Sequence, residues 1–239
     1  MLTLHILSTR AHPSRKRRLS QESGCPAIQV LTIPRPVPKL SCEFRSASRG
    51  NSRGASVGNL RVIGGEKRGF PLASPKGGTV RPTANRVRKA LFDILGQRVE
   101  DAQVLDLFAG TGAVGIEALS RGAASCLFVE ADSRNIEVIR DNLRVCRMES
   151  SAEVYRGNLP ACLSLLMRSR LLDLAFVDPP YDSQQVCLVL NELDSGGLLR
   201  AGAWVVLEHR KSSPPPAVSM GHLRTVRYGD TALSFFQKD

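Results

Sequence analysis

An apolar run that opens into regularly spaced glycines leaves a chain few folds to choose from. Here Val104-Leu105-Asp106-Leu107 is followed by Phe108-Ala109-Gly110-Thr111-Gly112-Ala113-Val114-Gly115. The pattern predicts a buried strand, a tight turn and the start of a helix. Gly110, Gly112 and Gly115 keep the G-x-G-x-x-G spacing, in which missing side chains let backbone approach a ligand and let the helix pack close to the strand. Strand, glycine turn and helix form the first half of a crossover unit, so a parallel sheet covered by helices is the expected architecture.

That spacing alone serves NAD as well as other nucleosides. Asp106 separates the two cases. A carboxylate at the strand end, just before the turn, repels a pyrophosphate but suits a ligand carrying an ammonium group, such as S-adenosylmethionine. A turn-bracing or helix-capping acid is the plainer alternative. The next strand, Cys126–Glu130, ends in an acid 20 positions after Gly110, where folds of this kind hold ribose hydroxyls; a solvated strand-end charge is the alternative. A third strand ends at Val154-Tyr155-Arg156-Gly157-Asn158, and Asn158 is a candidate for an adenine edge, an ordinary loop asparagine otherwise. The candidate cofactor-binding residues are thus Asp106, Phe108, Gly110, Thr111, Gly112, Gly115, Glu130 and Asn158.

A further apolar run, Leu171–Val177, ends in Asp178-Pro179-Pro180-Tyr181. It sets a carboxylate, a proline carbonyl and an aromatic ring at a strand's carboxyl edge, where open α/β sheets bind ligands. The trio suits methylation of an exocyclic amino group on a nucleobase. Such a nitrogen is a poor nucleophile because its lone pair is delocalised into the ring. Acceptors on its two hydrogens draw the lone pair out of the plane, and an aromatic face holds the base by stacking. Asp178, Pro179, Pro180 and Tyr181 are the candidate catalytic residues. Read alone they permit adenine N6 or cytosine N4 as well as guanine, and a proline-terminated turn with Tyr181 as packing is the structural alternative.

The remainder alternates strands and helices. Leu60–Ile63 and Phe70–Leu72 are expected to pair as a small hairpin around Gly64-Gly65. Thr83 is the expected cap of a helix to about Gly96, with Val87, Leu91, Ile94 and Leu95 inward and Arg86 and Lys89 outward. Ser133–Cys146 is a second helix, with Ile136, Ile139, Leu143 and Cys146 at core spacing. Ala203–Leu207 is a strand, and Leu223–Tyr228 with Ala232–Phe236 form a closing hairpin across Gly229-Asp230. His209, after Glu208 at a strand end, reads as a satisfied structural histidine.

Several of these segments occur together in one known family. Leu60-Arg61-Val62-Ile63-Gly64-Gly65 with Arg68-Gly69, then Arg81-Pro82-Thr83, Asn85-Arg86-Val87-Arg88 and Leu91-Phe92, resemble the opening of RsmD-type enzymes, the bacterial small-subunit ribosomal RNA guanine-N2 methyltransferases. The Asp106–Gly115 stretch, Glu130, Asp178–Tyr181 and the closing Tyr228-Gly229-Asp230-Thr231-Ala232-Leu233-Ser234 follow in the family's order. The resemblance spans about residues 60 to 237, and the Arg-Pro-Thr and Tyr-Gly-Asp-Thr segments are its specific parts. Asn158 departs from it, since the family usually has an acid there. The resemblance implies a Rossmann-like α/β fold of the class I S-adenosylmethionine-dependent methyltransferases: a mainly parallel seven-stranded sheet with an antiparallel last strand, preceded by the small N-terminal hairpin. It implies S-adenosyl-L-methionine as cofactor, and small-subunit (16S-type) ribosomal RNA or an assembling small subunit as partner, for a monomeric enzyme. Arg81, Arg86 and Lys89 are then candidate RNA contacts, a solvated helix surface being the alternative for the last two. A noncatalytic assembly factor that keeps the fold for RNA binding is disfavoured by the intact Asp178 and glycine loop.

Charge divides the chain. Net charge is +11, yet residues 1–58 carry 10 Lys or Arg against only Glu22 and Glu43, so the body is mildly basic and the start strongly so. Ser and Arg are frequent in that start, Arg15-Lys16-Arg17-Arg18 is a basic cluster, and Pro34, Pro36 and Pro38 interrupt regular structure. Residues 1–58 are therefore expected to be an import leader, for a chloroplast or alternatively a mitochondrion. A disordered RNA-binding arm and a nuclear localisation cluster are the alternatives. Residues 59–239 are the expected catalytic domain, with 59–82 as hairpin and loop. The six cysteines show no C-x-x-C pairing, so no metal site is expected and a reducing compartment is the simpler inference. Nor is any apolar run of membrane length present.

Overall fold

The computed structural model of the protein describes residues 55–75, 82–166, 171–180 and 185–239. Arg81 and Tyr181 lie outside the described residues, as does nearly all of the expected leader.

The N-terminal hairpin is longer than the sequence pattern suggests. β1 (Ala55–Arg61) pairs antiparallel with β2 (Pro71–Pro75), so ordered strand reaches back past residue 59. Two bonds between Val62 and the chain at Gly69 and Phe70 continue the pairing towards the turn. Gly65 sits at φ 74°, and a Cβ there would lie 1.8 Å from the carbonyl oxygen of Ser120. Only glycine permits that approach, which lets the Glu66 N–H donate to the same carbonyl at 2.7 Å.

α1 (Pro82–Leu95) begins at a proline, which suits the first helical position. Thr83 therefore falls inside the first turn, and the expectation of a Thr83 cap is corrected. Val87, Leu91 and Leu95 are buried and Ile94 packs partly buried against them, as expected; Phe92 and Arg88 are buried as well. β3 (Gln103–Leu107), α2 (Ala113–Ser120), β4 (Ser125–Glu130), α3 (Ser133–Cys146) and β5 (Ala152–Arg156) follow. Then come α4 (Leu163–Leu166), β6 (Leu172–Val177), α5 (Val186–Ser195), β7 (Leu199–Arg210), β8 (Gly221–Tyr228) and β9 (Thr231–Gln237).

Seven strands form one sheet in the order β5-β4-β3-β6-β7-β9-β8. The first five are parallel, and β9, last in the chain, is antiparallel to both neighbours. This is the arrangement implied by the resemblance. The strands are apolar on both faces because both are covered. On one face Val104, Phe128, Leu174, Phe176, Val206 and Phe235 meet residues of α1, α2 and α3. On the other Leu105, Leu107, Val129, Ala175, Val177, Val205 and Leu207 meet α4 and α5. The order reverses at β3, which lies between β4 and β6, and such a switch point opens a crevice at the carboxyl ends of the strands.

Candidate active site

Three acids stand in a row along that carboxyl edge, with a fourth just below it. Strand register explains the row. Leu107 aligns with Val129 on one side and Val177 on the other, and Val177 aligns with Leu207. The next position therefore brings Glu130, Phe108, Asp178 and Glu208 to one level on four adjacent strands. Asp106 lies two residues below Phe108. Side chains alternate along a strand, and Phe128, Phe176 and Val206 all belong to the core beneath α1, α2 and α3. Glu130, Asp178, Glu208 and Asp106 share their parity and so address that same face.

The glycine loop crosses this edge. Phe108 takes φ 58°, a left-handed conformation uncommon outside glycine, and turns the chain away from the strand. The Gly110 N–H donates to Glu130 Oε2 at 2.8 Å, while Glu130 Oε1 accepts from the Ala131 and Asp132 N–H groups at 2.8 and 2.9 Å. The acid of the second strand thus fixes the loop and the entry to α3, and a carboxylate still has lone pairs left for hydroxyl donors. The Asp106 Oδ2 accepts from the Gly115 N–H at 2.9 Å. Burial pushes this carboxyl up to about 8, opposed by that bond and reinforced by the charges of Asp178 and Glu130. Asp106 therefore does brace the turn, the plainer role weighed from sequence. It is also a buried acid lacking a cation among the described residues near it.

The three glycines divide their tasks. A Cβ at Gly115 would lie 2.3 Å from the Phe128 ring and 2.6 Å from Cys126 Sγ, and one at Gly112 would press on Ile139 at 3.2 Å. Those two exist for helix-to-strand packing. At Gly110 the nearest atom is 3.9 Å away, so its open side faces the crevice. A cradle with an acid at each end and one open glycine fits a nucleoside that bears a positive charge. Thr111 contributes its carbonyl to the Asn142 Nδ2 at 2.9 Å. Asn158 is exposed just beyond β5, and the Gly157 N–H donates to the Glu130 carbonyl at 3.0 Å. That bond keeps Asn158 at the Glu130 end of the crevice.

Asp178 follows β6 directly, its N–H 3.4 Å from the Leu107 carbonyl. As a residue it is exposed, yet the protein around the carboxyl pushes it up to about 6. An edge position reconciles the two, with water on one side and protein on the others. Pro179 is buried and Pro180 exposed. Arg86 and Lys89 are both exposed on α1, and Lys89 pairs with Asp93 at 2.6 Å. Among the described residues no hydrogen bond or ion pair joins Arg86 or Lys89 to Asp178.

Two polar clusters escaped the sequence reading. Glu117 is fully buried in α2 and accepts from the Ile63 and Gly64 N–H groups, both at 2.7 Å, and from Arg121 Nε at 2.8 Å. Buried Arg88 lies 3.8 Å from it and donates to the Arg61 carbonyl. Together they fasten the N-terminal hairpin to the sheet domain. Asn142, buried in α3, joins β2 to the glycine loop. Only Glu117, the one charged residue of the apolar α2, stood out in the sequence; Arg88 and Asn142 sit among other polar residues of α1 and α3. His209 is satisfied as expected: Nδ1 donates to the Arg210 carbonyl at 2.9 Å and Nε2 is 2.8 Å from Ser234 Oγ. Cys126 and Cys146 are buried, and burial raises both thiols.

Comparison with known proteins gives this geometry a context. Residues 60–237 match the family described as conserved hypothetical protein 95. Ribosomal RNA small subunit methyltransferase D of Escherichia coli strain K12 is 36% identical over 185 residues, covering 76% of this chain and 91% of that protein. YlbH of Bacillus subtilis strain 168 is 34% identical over 183 residues, covering 75% and 99% respectively. The solved structure of Escherichia coli yhhF superposes with a TM-score of 0.65 at 33% identity, covering 76% of this chain and 99% of the other.

Proposed function

The chain belongs to the conserved hypothetical protein 95 family, the RsmD-type ribosomal RNA methyltransferases, and on that premise we propose that it methylates the exocyclic N2 amino group of a guanine in the small-subunit RNA of an organellar ribosome. The observation that carries this reading is the placement of Asp178 and Pro179 at the end of β6, level with Phe108 where the glycine loop leaves β3. S-adenosyl-L-methionine supplies an electrophilic methyl group. Glu130 and Asn158 are at the end of the crevice suited to its adenosine, and Asp106 offers its buried charge towards the ammonium end. Among the described residues no group of three or more His, Cys, Asp or Glu side chains stands ready for a metal.

The residues at β6 have a definite task. The Asp178 carboxylate and the Pro179 carbonyl accept the two N2 hydrogens, turning the nitrogen lone pair towards the methyl carbon. As the N–C bond formed and the sulfonium–methyl bond broke, with S-adenosylhomocysteine as the neutral leaving group, the amino group would become acidic and Asp178 would take up its proton. A carboxyl raised to about 6 is a better base for this than an ordinary aspartate. Tyr181 stacks on the base, which must leave its helix or loop to be reached. The rest is positioning and electrostatics. Arg81, Arg86 and Lys89 lend phosphate attraction.

Recombinant protein incubated with S-adenosylmethionine and unmodified small-subunit RNA, or subunits carrying it, should yield N2-methylguanine by mass spectrometry. N6-methyladenine or N4-methylcytosine in its place overturns the guanine reading. The basic, acid-poor composition of residues 1–58 supports chloroplast import, with a mitochondrion as the alternative. A fluorescent fusion of those residues tests it, and nuclear or cytosolic signal overturns it.

A further inference from the structure

Glu208 has no part in the chemistry above, yet it stands beside Asp178. Val177 on β6 is in register with Leu207 on β7. Both point into the core under α4 and α5, so the next residues, Asp178 and Glu208, turn together to the opposite face. Glu208 is half-buried, and among the described residues its carboxyl has no hydrogen-bond or ion-pair partner. No packing or capping duty accounts for an acid there.

We propose that Glu208 reads the Watson–Crick edge of the target base, accepting the guanine N1–H while Asp178 and Pro179 accept the N2 hydrogens. This rests on the guanine-N2 reading above. Guanine alone among the standard bases presents a ring N–H directly beside an exocyclic amino group. Adenine N6 and cytosine N4 each adjoin a ring nitrogen with a lone pair. An acceptor next to the amino-binding acid therefore matches guanine and opposes the other two. Enzymes that act on flipped bases read this edge by hydrogen bonding, and a buried acceptor left facing a lone pair rejects a substrate strongly.

The electrostatics of the pair set a condition on this role: without a base Glu208 keeps a proton at neutral pH, and an edge that presents adjacent N–H donors favours its ionised, accepting form. Burial, and then the charge of Asp178, push the Glu208 carboxyl up to about 8, and Asp178 is raised as well. Two neighbouring carboxyls held this way compete for one proton. A base edge with adjacent N–H donors supplies the positive hydrogens that both lack.

The test uses small-subunit RNA whose mapped target guanine is replaced by 2-aminopurine, which keeps the amino group but carries a lone pair at N1. The wild-type enzyme should favour guanine by at least about 100-fold in kcat/KM, on the scale of rejecting an analogue that lacks a required N–H. Glu208→Gln, whose amide both accepts and donates, should narrow that preference to within about tenfold. Its affinity for S-adenosylhomocysteine and its melting temperature should stay those of wild type. An unchanged preference in Glu208→Gln overturns the inference, as does wild-type enzyme that methylates both bases equally, a result needing no variant. Absence of N2-methylguanine from the wild-type reaction on unmodified RNA instead overturns the proposed function itself, and this inference with it.

Discussion

The side chain of Asn142 and the main chain of Ala73 exchange two hydrogen bonds: the Ala73 N–H donates to Oδ1 at 2.6 Å, and Nδ2 donates to the Ala73 carbonyl at 3.1 Å. The same Nδ2 reaches the Thr111 carbonyl at 2.9 Å. One amide thereby ties β2 to the glycine loop through α3. Asn142→Ala should lower unfolding free energy by about 2–4 kcal/mol, since three bonds go and buried main-chain groups lose their partner. S-adenosylhomocysteine should also bind more weakly, because Thr111 is released. Urea unfolding and calorimetric titration check the two effects, and wild-type values in both would refute the link.

Glu117 makes a second, separate fastening. It neutralises Arg88, which is only 5% exposed, and caps the Ile63 and Gly64 N–H groups. Desolvation already lowers the Arg88 guanidinium from its ordinary value, with Glu117 as the main opposing influence. Glu117→Ala leaves that charge buried without its partner, and about 3–5 kcal/mol of stability should go. Limited proteolysis should cut first between β1 and α1. A variant as resistant as wild type would show that the hairpin is held by packing alone.

How much of this was legible beforehand depends on where each residue's partners lie. The sequence pattern predicts α3 over Ser133–Cys146 and the helix runs so, because its core spacing is local and Asp132 caps it through the Arg134 N–H. The glycine loop, Glu130 and Asp178 were legible because strand ends announce themselves in the chain. Glu117, Arg88 and Asn142 were not. Their partners are 27 to 69 residues distant, and a polar residue on a helix reads as solvated until the neighbouring element is known. The Thr83 cap failed for a related reason: a favourable cap residue competes with a proline one position earlier that already suits the helix start. Glu208 needed the β6–β7 register before its neighbour could be named.

Cofactor binding should release protons. Asp106 is raised to about 8 by burial. The folded protein without cofactor thus keeps a proton that an unfolded chain sheds near 4. Between those limits the native state binds more protons than the unfolded one, so this group's contribution to stability is lost as pH rises. The melting temperature without cofactor should accordingly fall from pH 6 to pH 8.5. A cationic ligand favours the charged carboxylate and expels the proton. Titration of S-adenosylmethionine at pH 7 in buffers of different ionisation enthalpy should show the release, and Asp106→Asn should abolish it. An observed enthalpy independent of buffer would rule out the ammonium contact.

The leader should be dispensable for chemistry. Residues Gly50–Asp239 form one compact unit, and a chain beginning at Gly50 retains β1 whole. It should methylate RNA in vitro at the full-length rate. Loss of activity with cofactor affinity intact would identify residues 1–49 as an RNA-binding arm.

Asp178 carries the sharpest expectation. Its N–H is tied to β3 and its carboxyl stands clear of the glycine loop's own hydrogen bonds, so removing the carboxyl should leave the cofactor cradle in place. Asp178→Ala should lower turnover by about two to four orders of magnitude, the scale of losing a preorganised contact to developing charge. S-adenosylhomocysteine affinity should change little, because the acid faces the base. Asp178→Asn should recover part of the rate, since its amide oxygen still accepts one N2 hydrogen but takes no proton. Raising the pH should raise wild-type turnover through about 6, as the Asp178 carboxyl ionises and becomes able to accept, and Asp178→Asn should lack that limb. Tyr181→Phe should be mild and Tyr181→Ala severe, because stacking needs the ring rather than the hydroxyl. Turnover near wild type in Asp178→Ala on a guanine-containing small-subunit RNA would place the methyl acceptor elsewhere along the edge and reduce Asp178-Pro179-Pro180 to a turn.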